Sequence, residues 1–453
     1  MAVLKKLLLL AVTTLPAAAQ IPLQAPAESA TVQTRREGTQ LVLEVHDPGN
    51  HAWRLQSSDN FGNWANGNTY RVFNGSLSIP LAADGPRHFF RLNSEDAGTV
   101  SSNAASALLL PATSYNYANP SLPPNLLTQI IRDQDNTPAN NATTNAGATL
   151  GRALFYDKRL SANQTISCSS CHQADHGFSD PRRFSVGFEG GLTDRNSMGL
   201  TNAKYYLRGS YFWDERAATL EDQVLQPIQN SVEMGMTLDL LVSRLSAEPF
   251  YAELFSSAFG SSTVNSDRIS RALAQFVRSI TSGQSKYDQG VASNFTNFTA
   301  QENQGRAIFN GAGNCTACHG SDNFVPGNLI FNNGLENPYI DKGVGAVSLR
   351  PQDEGLFKVP SLRNIELTAP YMHDGRFATL EQVVDFYNNG VVNHPNLSAP
   401  LRNPPGAPGA GQPRRLNLTN AQKAALVAFL KTLTDTSVTT DPKFQDPFRY
   451  EAQ

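Results

Sequence analysis

Two kinds of hydrophobic patterning divide the chain. Between residues 40 and 92, apolar positions come in short runs: Leu41-Val42-Leu43-Glu44-Val45, Trp53-Arg54-Leu55-Gln56, Tyr70-Arg71-Val72-Phe73 and Phe89-Phe90-Arg91-Leu92. Clusters of Asp, Asn, Gly and Pro separate them, the punctuation expected between strands. Residues 20–95 are therefore expected to form a small β-sandwich-like module. It holds Trp53 and Trp64, two of the three tryptophans. Core packing is their expected role, with a sugar-binding platform as the alternative. A stretch rich in Ser, Ala, Asn and Pro follows, and residues 96–123 read as a linker. From about residue 124 the period changes to that of helices. Ile269 to Ile280 has helical apolar spacing. Thr299-x-x-Glu302, Thr379-x-x-Gln382 and Thr419-x-x-Gln422 are capping boxes, in which a hydroxyl and a carboxylate or amide satisfy free N–H groups. The last helix, Ala421 to Leu433, is amphipathic and should close the fold.

An internal repeat lies inside the helical part. Gly151-Arg152-Ala153-Leu154-Phe155 returns as Gly305-Arg306-Ala307-Ile308-Phe309. The fold class expected is mainly α: two tandem modules, 124–295 and 296–453, behind a small all-β module.

Composition narrows the function classes. The chain has 453 residues, is 40% hydrophobic and carries a formal charge of −3. That is ordinary for a globular protein and too balanced for an electrostatic binder of nucleic acid. The first residues read as a secretory signal over 1–19: Lys5 and Lys6, an apolar core from Leu7 to Leu15, and Ala17-Ala18-Ala19 as a cleavage site. A buried N-terminal strand is the competing reading. No other run approaches the length needed to span a bilayer. The mature protein is expected to be soluble and periplasmic or otherwise extracytoplasmic.

All four cysteines fall in one repeated pattern. Cys168-Ser169-Ser170-Cys171-His172 is the first copy and Cys315-Thr316-Ala317-Cys318-His319 the second. C-x-x-C-H is the attachment pattern of c-type haem, two thiols for the vinyl groups and an adjacent imidazole for the iron. A redox disulfide or one zinc shared by both pairs is the rival reading, and it leaves both histidines unexplained. Two covalently bound haems are expected. If both irons carry two strong protein ligands the protein only moves electrons; if one has an open face, small-molecule chemistry follows.

Three stretches carry a resemblance: LGRALFYDKRLSANQTISCSSCH, YFWDERAATLEDQVLQPIQNSVEMGM and FKVPSLRNIELTAPYMHDGRFATLEQVVDFY. They resemble the bacterial di-haem cytochrome c peroxidases, a superfamily that includes the methylamine-utilisation enzyme MauG. The resemblance covers about 120 to 445 and leaves out the β module. It implies a peroxide site at the first haem and an electron relay at the second. Gln223 and Glu233 match the family's distal pair, the carboxylate shuttling peroxide's proton while the amide positions it. On residues alone, Glu233 is equally a surface glutamate near a helix end. Trp213 matches the family's tryptophan between the haems, a role compatible with core packing. Asn196, Thr368 and Pro370 match its interdomain calcium site, where oxygen ligands suit a hard cation.

Two departures from the family pattern matter. Many of its peroxidases carry a removable His ligand sixteen residues after the first proximal His, where this chain has Phe188. Phenylalanine cannot ligate iron, and His176 does not fill that position, so the first haem is expected to be five-coordinate and open. At the second haem the family's peroxidases place a Met fourteen residues after the His of Tyr-x-His-Asp-Gly. Here that His is His373, expected near a haem rather than on its iron, and the position is Tyr387. MauG-type enzymes use tyrosine as axial ligand, and Tyr387 is the expected ligand here. Met372 is the rival, and packing with Val383 and Val384 is the other role open to Tyr387. The resemblance implies reduction of hydrogen peroxide by an exported di-haem oxidoreductase. Its electrons would come from a small cytochrome c or cupredoxin, or from a partner protein's side chain as in MauG. A non-enzymatic di-haem electron carrier is the rival class. The β module is expected to contact a surface glycan or a partner.

Overall fold

The computed structural model describes residues 7–12, residues 30–95 without several of their turns, and residues 103–450 without residue 112. The N-terminal region is the β module expected. One sheet has strands β2 (Thr31–Glu37), β3 (Gln40–His46) and β6 (Ser76–Leu81) in the order β2-β3-β6. The other has β1 (Leu7–Val12), β4 (Ala52–Ser58), β5 (Ala65–Arg71) and β7 (His88–Glu95) in the order β1-β7-β4-β5. All pairs are antiparallel, with Val45 opposite Leu77 and Leu55 opposite Leu92. The period-2 alternation puts Leu43, Val45, Trp53, Ile79 and Phe90 into one core. Trp53 is buried there and its indole N–H donates to Asp47 at 2.9 Å. Trp64 is half-buried under the Arg91 guanidinium, 4.2 Å from the ring centre. Strands β2 and β6 escaped the pattern reading because β2 is polar apart from Val32 and Pro80 interrupts the short run of β6. Leu7–Val12, the apolar core of the expected signal, runs antiparallel to β7; its cleavage site and Phe73 lie outside the described residues.

The module is docked on the helical body. Ala252, in the helix Pro249–Phe259, packs against the module's core, and Asn68 donates to the Ala247 carbonyl. The stretch read as a linker is partly ordered against the same helix. A short helix, Asn103–Ala107, presents the N–H groups of Asn103 and Ala104 to the Glu253 carboxylate at 2.8 and 3.0 Å. Leu108 then bridges to Phe448 near the other end of the chain.

The sequence repeat is a structural repeat. Helix Asn145–Tyr156 crosses Ser266–Ser279, and helix Ala300–Asn310 crosses Asn420–Lys431. Each crossing is tight at the repeat's glycine. A Cβ on Gly151 would lie 2.0 Å from the Ala272 carbonyl oxygen, and one on Gly305 would lie 1.9 Å from that of Ala425. Four residues on, Phe155 meets Phe276 at 5.2 Å between centroids and Phe309 meets Phe429 at 5.1 Å. The three capping boxes form as written. The expected helix Ile269–Ile280 begins three residues earlier, capped by Asn265. Among the described residues no helix is long and apolar enough to cross a membrane.

Candidate active site

Each C-x-x-C-H follows its repeat helix and is set in the same way. His172 Nδ1 is 2.9 Å from the Phe178 carbonyl oxygen, and His319 Nδ1 is 2.9 Å from that of Phe324. A carbonyl only accepts, so Nδ1 carries the proton and Nε2 is left with its lone pair. Both carbonyls belong to phenylalanines with positive φ, and each ring packs on the repeat's own phenylalanine. Burial lowers both imidazoles, His319 to about 4, so they are neutral near pH 7. The four cysteines form no disulfide, and burial pushes the thiols of Cys168, Cys315 and Cys318 up to about 12. Among the described residues no group of three or more His, Cys, Asp or Glu is placed to share a metal ion. The zinc and disulfide readings therefore gain no support, while two neutral imidazoles with thiols beside them fit two haems.

The first site is bordered by the segment Asn230–Met236. Helix Leu220–Gln229 carries half-buried Gln223 and delivers the chain into this segment. The Asn230 side chain accepts from the N–H of Val232 and of Glu233. The Glu233 carbonyl accepts from Phe188 N–H at 3.0 Å. The Phe188 ring lies against Gly235, where a Cβ would meet it at 2.3 Å and where φ is +62°. Glycine satisfies both demands. Phe188 is thus a prop for the Glu233 segment. Glu233 is half-buried, and burial raises its pKa while Arg216 pulls the other way. A charge on Glu233 raises both the Cys168 and Cys171 thiols, which places the carboxylate by the first attachment motif. His176 lies at the surface beside Asp175.

The second site opens into a mostly apolar cavity of about 250 Å³ between the two helical modules. Cys315, Cys318 and His319 line it, as do Trp213, Met372 and Tyr387. Tyr387 lies in a widened π turn, Phe386–Gly390, that continues the helix Leu380–Asp385. Such turns recur at functional positions. Burial raises the Tyr387 phenol, the Asn333 side chain opposes the rise, and both cysteines of the second motif act on it. Asn333 also donates to the Met372 sulfur at 3.5 Å, and Met372 has φ +74°. Both rivals for the iron therefore line one cavity with His319. Val383 and Val384 line it as well.

Half-buried Trp213 lines the cavity of the second site. Its indole N–H donates to the Asn196 carbonyl at 2.9 Å, and its own carbonyl accepts from Lys358 N–H at 2.8 Å. His373 meets it edge-on at 6.4 Å, stacked in turn on Phe357 at 4.0 Å. Asn196, Thr368 and Pro370 line the same cavity. Arg195 joins the modules here, bonded to Asp214 on one side and Asp341 on the other.

Two residues at these walls had no role in the sequence reading. Lys358 is buried with its ammonium 3.9 Å from the Tyr206 ring centre and 4.5 Å from that of Tyr211, donating to the Ser210 carbonyl at 2.9 Å. Burial lowers it to about 7. Its signal was a lysine set between apolar residues and proline in Phe357-Lys358-Val359-Pro360. Arg414 lines the cavity near Cys315, whose thiol it lowers.

Comparison with known proteins follows the same lines. A family model for di-haem cytochrome c peroxidase matches residues 145–295. The methylamine utilization protein MauG of Methylophilus methylotrophus is 32% identical over 298 residues, 65% of this chain and 84% of that protein. Cytochrome c551 peroxidase of Nitrosomonas europaea is 36% identical over 291 residues, 63% of this chain and 79% of that one. Among solved structures, a MauG-like protein associated with microbial copper homeostasis superposes with a TM-score of 0.60 at 35% identity, covering 69% of this chain and 96% of that one.

Proposed function

The chain belongs to the di-haem cytochrome c peroxidase family, which includes MauG, and on that premise we propose an exported enzyme that reduces hydrogen peroxide beside Glu233. Cys168, Cys171 and His172 would hold one c-type haem; Cys315, Cys318, His319 and Tyr387 would hold the other. When bound, the haems supply a metal centre that accepts peroxide and a second redox centre that stores or relays an electron. The protein's own work is to bind, orient and move protons. Glu233 takes the proton from one peroxide oxygen and returns it to the other, which departs as water. Gln223 orients the substrate by hydrogen bonding. Phe188 has no donor atom to offer an iron held at the first motif, and it holds the Glu233 segment in place. Trp213, fixed at its indole N–H and at its carbonyl, carries charge between the two sites. Each turnover consumes two electrons and two protons and yields two waters.

The observation carrying this reading is the half-buried Glu233 carboxylate beside the first C-x-x-C-H, with a phenylalanine where a displaceable ligand would otherwise stand. Glu233→Gln tests it. Steady-state peroxide reduction with a small-molecule reductant should fall about 10²- to 10⁴-fold, the span usual for a general acid–base group. Haem content should not change. Unchanged turnover contradicts the assignment.

A second reading within this class is favoured by Phe188 and Tyr387 together: a partner protein's side chain supplies the electrons, as in MauG. An oxygen ligand stabilises higher metal oxidation states than a thioether does. One equivalent of peroxide followed by Mössbauer spectroscopy should find both irons above the ferric level; oxidation at one iron alone contradicts the Tyr387 assignment. Asn196, Thr368 and Pro370, which line one cavity, would hold a calcium ion, and the Asn196 carbonyl anchors Trp213, so chelation should slow transfer between the sites. The β module, docked away from the cavity, makes the contact with a surface glycan or partner.

A further inference from the structure

We infer that the loop from Ser398 to Leu416 is a docking surface for a small acidic redox protein, one that presents Asp and Glu around its own metal centre. The inference rests on the peroxidase reading above and adds where the electron donor binds and what charge it carries. From Phe386 to Thr434 the chain has no Asp or Glu, but it has Arg402, Arg414, Arg415, Lys423 and Lys431. In a chain of net charge −3 this is a local reversal of sign. Lys423 is neutralised by Asp385 and Lys431 lies near Glu366. The three arginines are different. Arg402 donates to the carbonyls of His394, Leu397 and Gly411, Arg414 to that of Ala312, and Arg415 to those of Asn389 and Val391. Among the described residues none of the three meets a carboxylate, so their charges are uncompensated.

The loop also holds them together. Arg402 pairs with Pro413 across an antiparallel bridge, and Arg414 N–H donates to the Leu401 carbonyl at 2.7 Å. Arg415 is exposed and Arg414 half-buried. The patch sits over the second site. Pro400, Leu401 and Arg414 form part of the cavity wall together with Gly313, Asn314 and Cys315. Asn314 bonds the Pro400 carbonyl at 3.3 Å, closing the loop over the residues that precede the second attachment motif. Glu354, at the rim, is engaged by Lys342. A donor must come close to the redox centre it serves, and uncompensated arginines around that centre select an acidic face and speed its approach.

The test uses the full di-haem protein with three reductants: a small acidic c-type cytochrome, a basic mitochondrial cytochrome c, and hexaammineruthenium(II), which needs no docking surface. Ala410→Glu adds a negative charge at an exposed loop position without removing any side-chain bond, and Arg415→Glu reverses one charge of the patch. Either variant should raise KM for the acidic cytochrome about three- to tenfold at low salt, leave kcat and the ruthenium-driven rate unchanged, and lose its effect at high salt. The proposal is overturned if the basic cytochrome is the better donor to the wild type. It is also overturned if KM for the acidic cytochrome is the same in Ala410→Glu. Should ruthenium drive no turnover, the peroxidase reading fails instead. Salt-dependent binding of the oxidised acidic cytochrome to wild type and Ala410→Glu then decides the surface alone: weaker binding to the variant supports it, equal binding refutes it.

Discussion

Single residues carry the chemistry, and here burial sets their behaviour. Glu233 has its pKa raised mainly by desolvation, with Arg216 opposing. If the carboxylate form accepts peroxide's proton, kcat/KM should rise with pH through a pKa above the ordinary glutamate value of about 4.3. Glu233→Gln should remove that limb of the profile. A limb that persists in the variant would assign it to another group. Tyr387 and Met372 both line the cavity with His319, so they are told apart by substitution. Tyr387→Phe should change the optical spectrum and midpoint potential of the second haem, whereas Met372→Leu should leave both in place. The reverse pattern would make Met372 the ligand. The cysteines and the histidines beside them were legible because a local C-x-x-C-H motif announces them, whereas Glu233 stood out only through the family resemblance. Lys358 and the Arg195 pairing with Asp341 were not, since their meaning comes from chain segments more than a hundred residues apart.

At the scale of elements, the repeated glycines set how closely the helices cross. Gly151→Ala and Gly305→Ala each force a methyl group into a backbone carbonyl. Each should destabilise by about 1–3 kcal/mol, as overpacking does, read as a lower denaturation midpoint. The Gly-Arg-Ala-x-Phe signature was legible as a repeat, but its role as a contact surface needed the partner helices, which lie far along the chain. Helix starts were legible through their capping boxes, because the satisfying groups lie within four residues. Strands β2 and β6 were not, because β2 is polar apart from half-buried Val32, and Pro80 breaks the run of β6. The docking of residues 103–108 was hidden for a related reason: a composition of Ser, Ala and Asn says nothing of the distant Glu253 carboxylate that orders it.

Across the whole molecule, the helical modules are joined by buried polar contacts. Arg363 meets Asp288 through two nitrogens, each 2.9 Å from a carboxylate oxygen, and Asn125 donates to the same carboxylate. These partners hold Asp288 below the ordinary carboxylate range. Its contribution to stability is therefore present above the unfolded pKa and lost as pH falls through the folded one. Arg363→Met should cost about 3–5 kcal/mol, because it strands a buried charge. Removing residues 20–95 should lower thermal stability by exposing the helix Pro249–Phe259 yet preserve peroxide turnover, since the module bonds to Ala247 and Ser262 and packs on Ala252 rather than on the Glu233 segment. Loss of turnover in well-folded, haem-loaded protein would contradict that separation. The account as a whole depends on one iron with an open face beside Glu233, which the rival electron carrier lacks. Electron paramagnetic resonance of the resting ferric protein, with both haems in place, tests this most directly. The account predicts a high-spin signal from the first haem that small anionic ligands shift. Two low-spin signals, unmoved by such ligands, would contradict it.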